Sequence, residues 1–157
     1  MGAQITQRKG GTKRVRKESV DVVMGTCGVR LMNMPEKDPL TELIIGAAIQ
    51  VRKRVGCGLL ESAYHAFLCI EMHRANLTFK SQATLPVIYD GHRVDLAYRP
   101  DLIVDDRVIV ELKTVTAFLP GHEAQILTYL RLSGIRIGFL LNFHAVPFKS
   151  GIRRFIV

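Results

Sequence analysis

Three carboxylates, one lysine and a Gln/Tyr pair fall in three short runs of this 157-residue chain. The runs are Gly58-Leu59-Leu60-Glu61-Ser62-Ala63-Tyr64, then Asp101 with Glu111-Leu112-Lys113, then Gln125-Ile126-Leu127-Thr128-Tyr129. Oxygen-only ligands of this kind suit Mg²⁺ or Mn²⁺, hard cations that keep several waters and accept phosphate oxygens. A lysine beside them could orient an attacking water or stabilise charge building on the transition state. Together these are the residues needed to hold a divalent cation against a phosphodiester.

The spacing from 101 to 113 carries most of that reading. Leu102, Val104, Val108, Val110 and Leu112 are apolar, while Asp101, Glu111 and Lys113 share the other parity with Ile103 and Ile109. Side chains alternate faces along a strand, so the first set points to a core and the second to the opposite face. A three-residue loop, Asp105–Arg107, sets Asp101 directly across from Glu111, with Cβ atoms about 4.5–5.5 Å apart. Two carboxylates that close repel unless a proton or a cation lies between them. A two-residue loop would put them on opposite faces. Taken alone, an E-x-K run is more often the solvated face of a half-buried strand.

Glu61 falls in the first turn of a helix, where a carboxylate ordinarily complements the helix dipole. Gly58 before it permits a left-handed turn, and Tyr64 lies one turn beyond on the same side. Gln125 and Tyr129 are i and i+4, with His122 three residues before Gln125, so the three form one polar stripe. Such a stripe is usually a solvated face. Gln and Tyr can also donate to phosphate oxygens, Tyr can stack on a base, and His122 is a candidate proton carrier. His65, His73, His92 and His144 show no ligand spacing.

These residues need elements to position them. Leu40, Leu43, Ile44, Ala47 and Val51 have helical periodicity, which Val55-Gly56-Cys57-Gly58 interrupts. A second helix follows with Leu60, Ala63, Tyr64, Phe67, Leu68 and Met72 on one face, fading near Asn76. Thr78–Tyr89, Asp90-Gly91 and His92–Tyr98 read as strand, tight turn and strand, with Pro86 marking an edge or a bulge. Leu102–Val104 and Val108–Lys113 form the carboxylate hairpin. A third helix runs from Pro120 to about Leu132, with Ile126, Leu127 and Leu130 as its core face, and ends at Ser133-Gly134. Ile137–Phe143 reads as a buried strand and Arg153–Val157 as a last short one. The order ααββββαβ(β) implies a mixed sheet flanked by helices, hence an α/β or α+β domain.

The length suits one sizeable core, and no apolar run approaches a membrane span. Cys27, Cys57 and Cys69 are odd in number and form no CxxC pair, so a reducing cytoplasm is the expected compartment. The net charge of +8 is unevenly spread: residues 1–33 hold seven Lys/Arg against two Asp/Glu, residues 34–157 fifteen against twelve. Residues 1–38 are therefore expected to be a basic, disordered leader ahead of a domain over 39–157. Two other readings of the leader are a phosphate-binding arm and a true start at Met34.

In combination these runs resemble the GxxExxY family, a branch of the PD-(D/E)XK nuclease superfamily, from about Leu40 to Val157. The resemblance rests on Gly58–Tyr64, Asp101-Leu102-Ile103-Val104, Val110-Glu111-Leu112-Lys113, Gln125–Leu130, Leu141-Asn142-Phe143 and Lys149–Arg154. The Gln-x-x-x-Tyr spacing also looks like the helix motif of RecB-type nucleases. Arg52, Cys57 and His144 depart from the family's usual His, Pro and Gly. The resemblance implies a restriction-endonuclease-like mixed sheet flanked by helices and a Mg²⁺- or Mn²⁺-dependent nuclease acting on nucleic acid, DNA foremost. It implies Asp101 and Glu111 as metal ligands with Glu61 as a further helix carboxylate, and Lys113 as the catalytic lysine. Gln125 and Tyr129 would lie against the substrate backbone; Tyr64 and His122, from their own helix positions, are further candidate substrate contacts. The rival expectation is a module that keeps the nuclease fold and binds nucleic acid or a partner without turnover.

Overall fold

The computed structural model describes residues 38–157. The leader expected over residues 1–38, with the alternative start at Met34, lies outside them except for Asp38. That aspartate caps the first helix, α1 (Pro39–Val55), accepting from Leu40 N through Oδ1 at 3.1 Å. Pro39 suits the first turn, where its missing N–H leaves no bond unmade. There follow α2 (Glu61–Arg74), β1 (Phe79–Ser81), β2 (Leu85–Tyr89), β3 (His92–Tyr98), β4 (Leu102–Val104), β5 (Val108–Lys113), α3 (Pro120–Ser133) and β6 (Ile137–Asn142). A 3₁₀ turn (Phe148–Gly151) leads into β7 (Ile152–Ile156). No helix among the described residues is long and apolar enough to cross a membrane.

Five strands form one mixed sheet in the order β1-β4-β5-β6-β7, with β5 and β6 parallel and the other pairs antiparallel. The sheet is flanked by helices, as a restriction-endonuclease-like fold requires. Each face has its own core. Leu102, Val104, Val108, Val110 and Leu112 pack with α1 and α2 residues such as Ile44, Val51, Leu68 and Met72. Ile103, Ile109 and Leu140 pack with Ile126, Tyr129 and Leu130 of α3. Central strands buried on both sides are the expected consequence of a helix layer on each face.

Several expected elements shift. The stretch Thr78–Tyr89 is not one strand: β1 pairs with β4, whereas β2 and β3 form a separate two-stranded ribbon. The break falls at Gln82, which takes φ 48° and donates its N–H to Asp101 O at 3.0 Å, turning the chain off the sheet edge. Pro86 does mark a bulge, because the β2–β3 register shifts between Leu85 and Val87. Leu43 and Leu60, expected on core faces, are 46% and 77% exposed. Leu60 caps α2 from outside it, and the face of α1 that meets the core is shifted towards Thr41 and Ala48. On α3 the shift is from Leu127 to Tyr129, which is buried beside Ile126 and Leu130.

The approach of α3 to the sheet depends on Gly138 of β6. A Cβ there would lie 3.0 Å from Ile126 Cγ1 and Cδ1 and 3.2 Å from Leu130 Cδ1. Gly138→Ala should therefore push α3 outward and lower stability by about 1–3 kcal/mol, the usual cost of overpacking. The midpoint of urea unfolding at unchanged m-value measures it; an unaltered midpoint would show that Ile126 yields freely.

Candidate active site

The hairpin β4–β5 turns through two left-handed residues, Asp105 and Asp106, at φ 49° and 52°. Aspartate tolerates this conformation better than most residues. Arg107 N closes the turn onto Val104 O at 3.0 Å, and Arg107 itself is left over, so Val104 pairs with Val108 and Leu102 with Val110. The odd residue count carries Asp101 across from Glu111. Asp101 N donates to Glu111 Oε2 at 3.4 Å, and Leu112 N donates to Asp101 Oδ2 at 2.7 Å. The face that bears the carboxylates is not solvated along its length, because α3 covers Ile103 and Ile109.

Glu111 is 3% exposed, and Lys113 Nζ donates to its Oε1 at 2.8 Å. Burial first, and the charge of Asp101 second, push the Glu111 carboxyl up to about 7, against the opposing pull of Lys113. Burial by itself would lower the Lys113 ammonium. The hydrogen bond to Glu111 and the charges of Glu111, Glu61 and Asp101 outweigh it, so its pKa is raised. Tyr129 is raised too, by burial above all and by the charges of Glu111 and Asp101, although the Gln125 hydrogen bond and Lys113 pull it down. Two carboxylates facing one lysine leave an excess of negative charge in a place that water solvates poorly. A hard divalent cation would neutralise it, so this donor set fits one. Among the described residues no three His, Cys, Asp or Glu side chains are gathered as an ion cage. Mg²⁺ commonly needs only one or two carboxylates beside its waters.

The remaining expected residues divide. Glu61, in the first turn of α2, lies within electrostatic reach of Lys113. Gln125 Nε2 donates to Tyr129 Oη at 2.8 Å, so the pair acts as one unit beside Glu111. Tyr64 is wholly buried: its hydroxyl donates to Gly56 O at 2.9 Å, accepts from Leu59 N at 3.4 Å, and its ring stacks on Phe143. It holds the glycine loop, where Gly58 sits at φ 98°, and with it the start of α2. His122 is turned to its own helix end, Nδ1 accepting from Leu119 N at 3.2 Å, with its ring edge-on to Phe118.

Over residues 38–155 the chain matches the family described as the PD-(D/E)XK nuclease superfamily. It belongs to that superfamily. No curated protein and no solved structure matches the chain. PD-(D/E)XK nucleases generally use divalent metal ions.

Within this PD-(D/E)XK chain, sequence reasoning passed over His65. Its Nε2 lies 3.3 Å from Asp101 O and 3.2 Å from Ser81 Oγ. A carbonyl can only accept, so it is the Nε2–H tautomer of His65 that would tie α2 to the backbone of Asp101. The available signal was its position four residues after Glu61, on the same side of the helix. Asn142 was also missed as a site-shaping residue. Its amide clasps Val115 on both sides, with Nδ2 to Val115 O at 2.7 Å and Val115 N to Oδ1 at 3.2 Å. Nothing local in the sequence announces that contact.

The raised Glu111 carboxyl has a consequence for stability. Its folded pKa of about 7 lies above the ordinary 4.5, so the folded chain holds the proton more tightly than the unfolded one. Without added metal, the contribution of Glu111 to stability should be full below pH 4.5, fall as the pH rises to about 7, and then level off. The fall should be on the order of 3 kcal/mol, at about 1.36 kcal/mol per pKa unit. Urea unfolding in chelator between these limits measures it, and Glu111→Gln should remove that part of the slope. A Gln variant with the parent's full slope would assign the titration elsewhere.

Proposed function

We propose that this protein is a metal-dependent nuclease that hydrolyses nucleic-acid phosphodiesters, DNA foremost, with Mg²⁺ or Mn²⁺. The observation that carries the reading is the opposition of Asp101 and Glu111 across the odd-length hairpin, with Lys113 Nζ held on Glu111 Oε1 at 2.8 Å. Asp101 and Glu111 would hold the cation, with Glu61 in reach as a third carboxylate. When bound, such a cation supplies Lewis-acid chemistry, polarising the phosphate and easing the deprotonation of water.

The chain's own groups do the rest. Lys113, with its pKa raised, stays an ammonium at neutral pH, so it serves as a fixed positive charge for the developing phosphate anion rather than as a base. Its hydrogen bond to Glu111 aims that charge before substrate arrives. The Gln125–Tyr129 pair offers polar atoms on the same side of the sheet for the strand's backbone. The run Gly58–Tyr64 supports placing the chain in the GxxExxY branch. On this reading the motif glutamate faces the lysine while the motif tyrosine pins the loop that starts α2. Residues 39–157 would then form one nuclease-like domain.

Mg²⁺- or Mn²⁺-dependent cleavage of single- and double-stranded DNA and of RNA tests the proposal. Lys113→Ala and Asp101→Asn should each cost about 10²–10³-fold in rate, the usual loss for one charge-stabilising group. Activity unchanged in both would sink it. Metal bound in calorimetry without cleavage of any substrate would favour the non-catalytic binding module.

A further inference from the structure

Beyond the carboxylates, a second polar feature lies at the ends of β5 and β6. A cleft of about 250 Å³ opens there, and its polar wall residues are Thr116, Asn142, Ser150 and Arg153. Its walls are fixed. Asn142 clasps Val115 and accepts from His144 N at 3.1 Å, so its amide holds the two loops together. At Gly151 a Cβ would lie 2.5 Å from Asn142 O and 2.6 Å from Ala145 Cβ, so only glycine lets these backbones meet.

The Arg153 guanidinium lies 4.8 Å above the Phe118 ring and pairs with Glu123. A stacked, paired arginine loses little freedom on taking up a ligand oxygen, and its fork has five donors, so one acidic partner does not exhaust it. The segment 142–157 carries Lys149, Arg153 and Arg154 and no Asp or Glu. Of the three, only Arg153 lines the cleft, where it is the one charged residue of the wall and favours an anion.

Thr116 is three residues past Lys113, a reach of about 10 Å at most for extended chain. Along one nucleic-acid strand, about 3.4 Å of axis separates successive phosphates. A strand whose scissile phosphate faces Lys113 therefore has the cleft within reach one to three nucleotides away, about the same span.

We propose that this cleft seats a second phosphate of the nucleic-acid strand, held by the Arg153 fork with Thr116 beside it, one to three nucleotides, roughly 10 Å, from the phosphate to be cleaved. The inference rests on the nuclease reading and adds to it a requirement for substrate length and a fixed strand direction.

The full chain, kept in chelator so that no cleavage occurs, is titrated with end-labelled single strands of DNA and of RNA about 12 nucleotides long. Binding is followed by fluorescence anisotropy across a salt series. Arg153→Ala should weaken binding alike for all sequences and reduce the slope of log K against log salt by about 0.7, one phosphate contact on a single strand. Thr116→Glu, an exposed position, should do the same, and it decides the matter if Arg153→Ala melts early. Lys80→Ala, on the far edge strand of the sheet, should leave the slope as it was. An unchanged slope in Thr116→Glu and in folded Arg153→Ala, or an equal loss in Lys80→Ala, overturns the cleft assignment. The nuclease reading would still stand if Lys113→Ala abolishes cleavage. Failure of the unaltered protein to bind either kind of strand overturns the cleft assignment, while the cleavage assay judges the nuclease reading separately.

Discussion

Asp101 and Glu111 repel each other, and the rest of the structure works to keep them opposed. The repulsion is contained by ties to the backbone: Asp101 O accepts from Gln82 N and lies beside His65 Nε2, and its Oδ2 accepts from Leu112 N. The bond from Leu112 N would be lost if the hairpin slipped by one residue, since a one-residue slip exchanges the faces of every side chain. The leftover Arg107 in the turn and the two hydrophobic faces of β4 and β5 together forbid that slip.

The second helix layer has an electrostatic effect as well as a packing one. By covering Ile103 and Ile109, α3 removes water from the neighbourhood of Glu111, and that desolvation is the largest cause of its raised pKa. The same burial would drive Lys113 towards neutrality, but three carboxylates hold it charged. Fold and chemistry are thus linked through one strand, β5, whose alternation supplies a core on one face and a charged end on the other. Gly138 enters this chain of causes at a distance, by allowing α3 to lie close enough to exclude water.

What the linear pattern could show depended on range. Period-two alternation over Leu102–Leu112 is a local property, so the hairpin, its face assignment and the pairing of Asp101 with Glu111 were legible. So were the three helices, with Gly134 at φ 71° ending the third. The single strand expected over Thr78–Tyr89 failed because the left-handed turn at Gln82 answers to Asp101, nineteen positions away, rather than to its neighbours. Leu60 misled for a related reason: apolar spacing marks a face, but only packing says where the helix starts.

By itself, the sequence determined which residue types are present, their alternation, and hence the two-faced hairpin with its carboxylates and lysine on one side. Membership of the PD-(D/E)XK superfamily is likewise a match of sequence, over residues 38–155. Tertiary structure alone decided which polar groups meet. It turned Tyr64 inward onto Gly56, spent His122 on a helix end, and brought His65 thirty-six positions along the chain to Asp101. Strand and helix periods come from short-range backbone sterics and are written locally. Contacts across layers depend on how whole helices seat against a sheet, which no short window of residues contains.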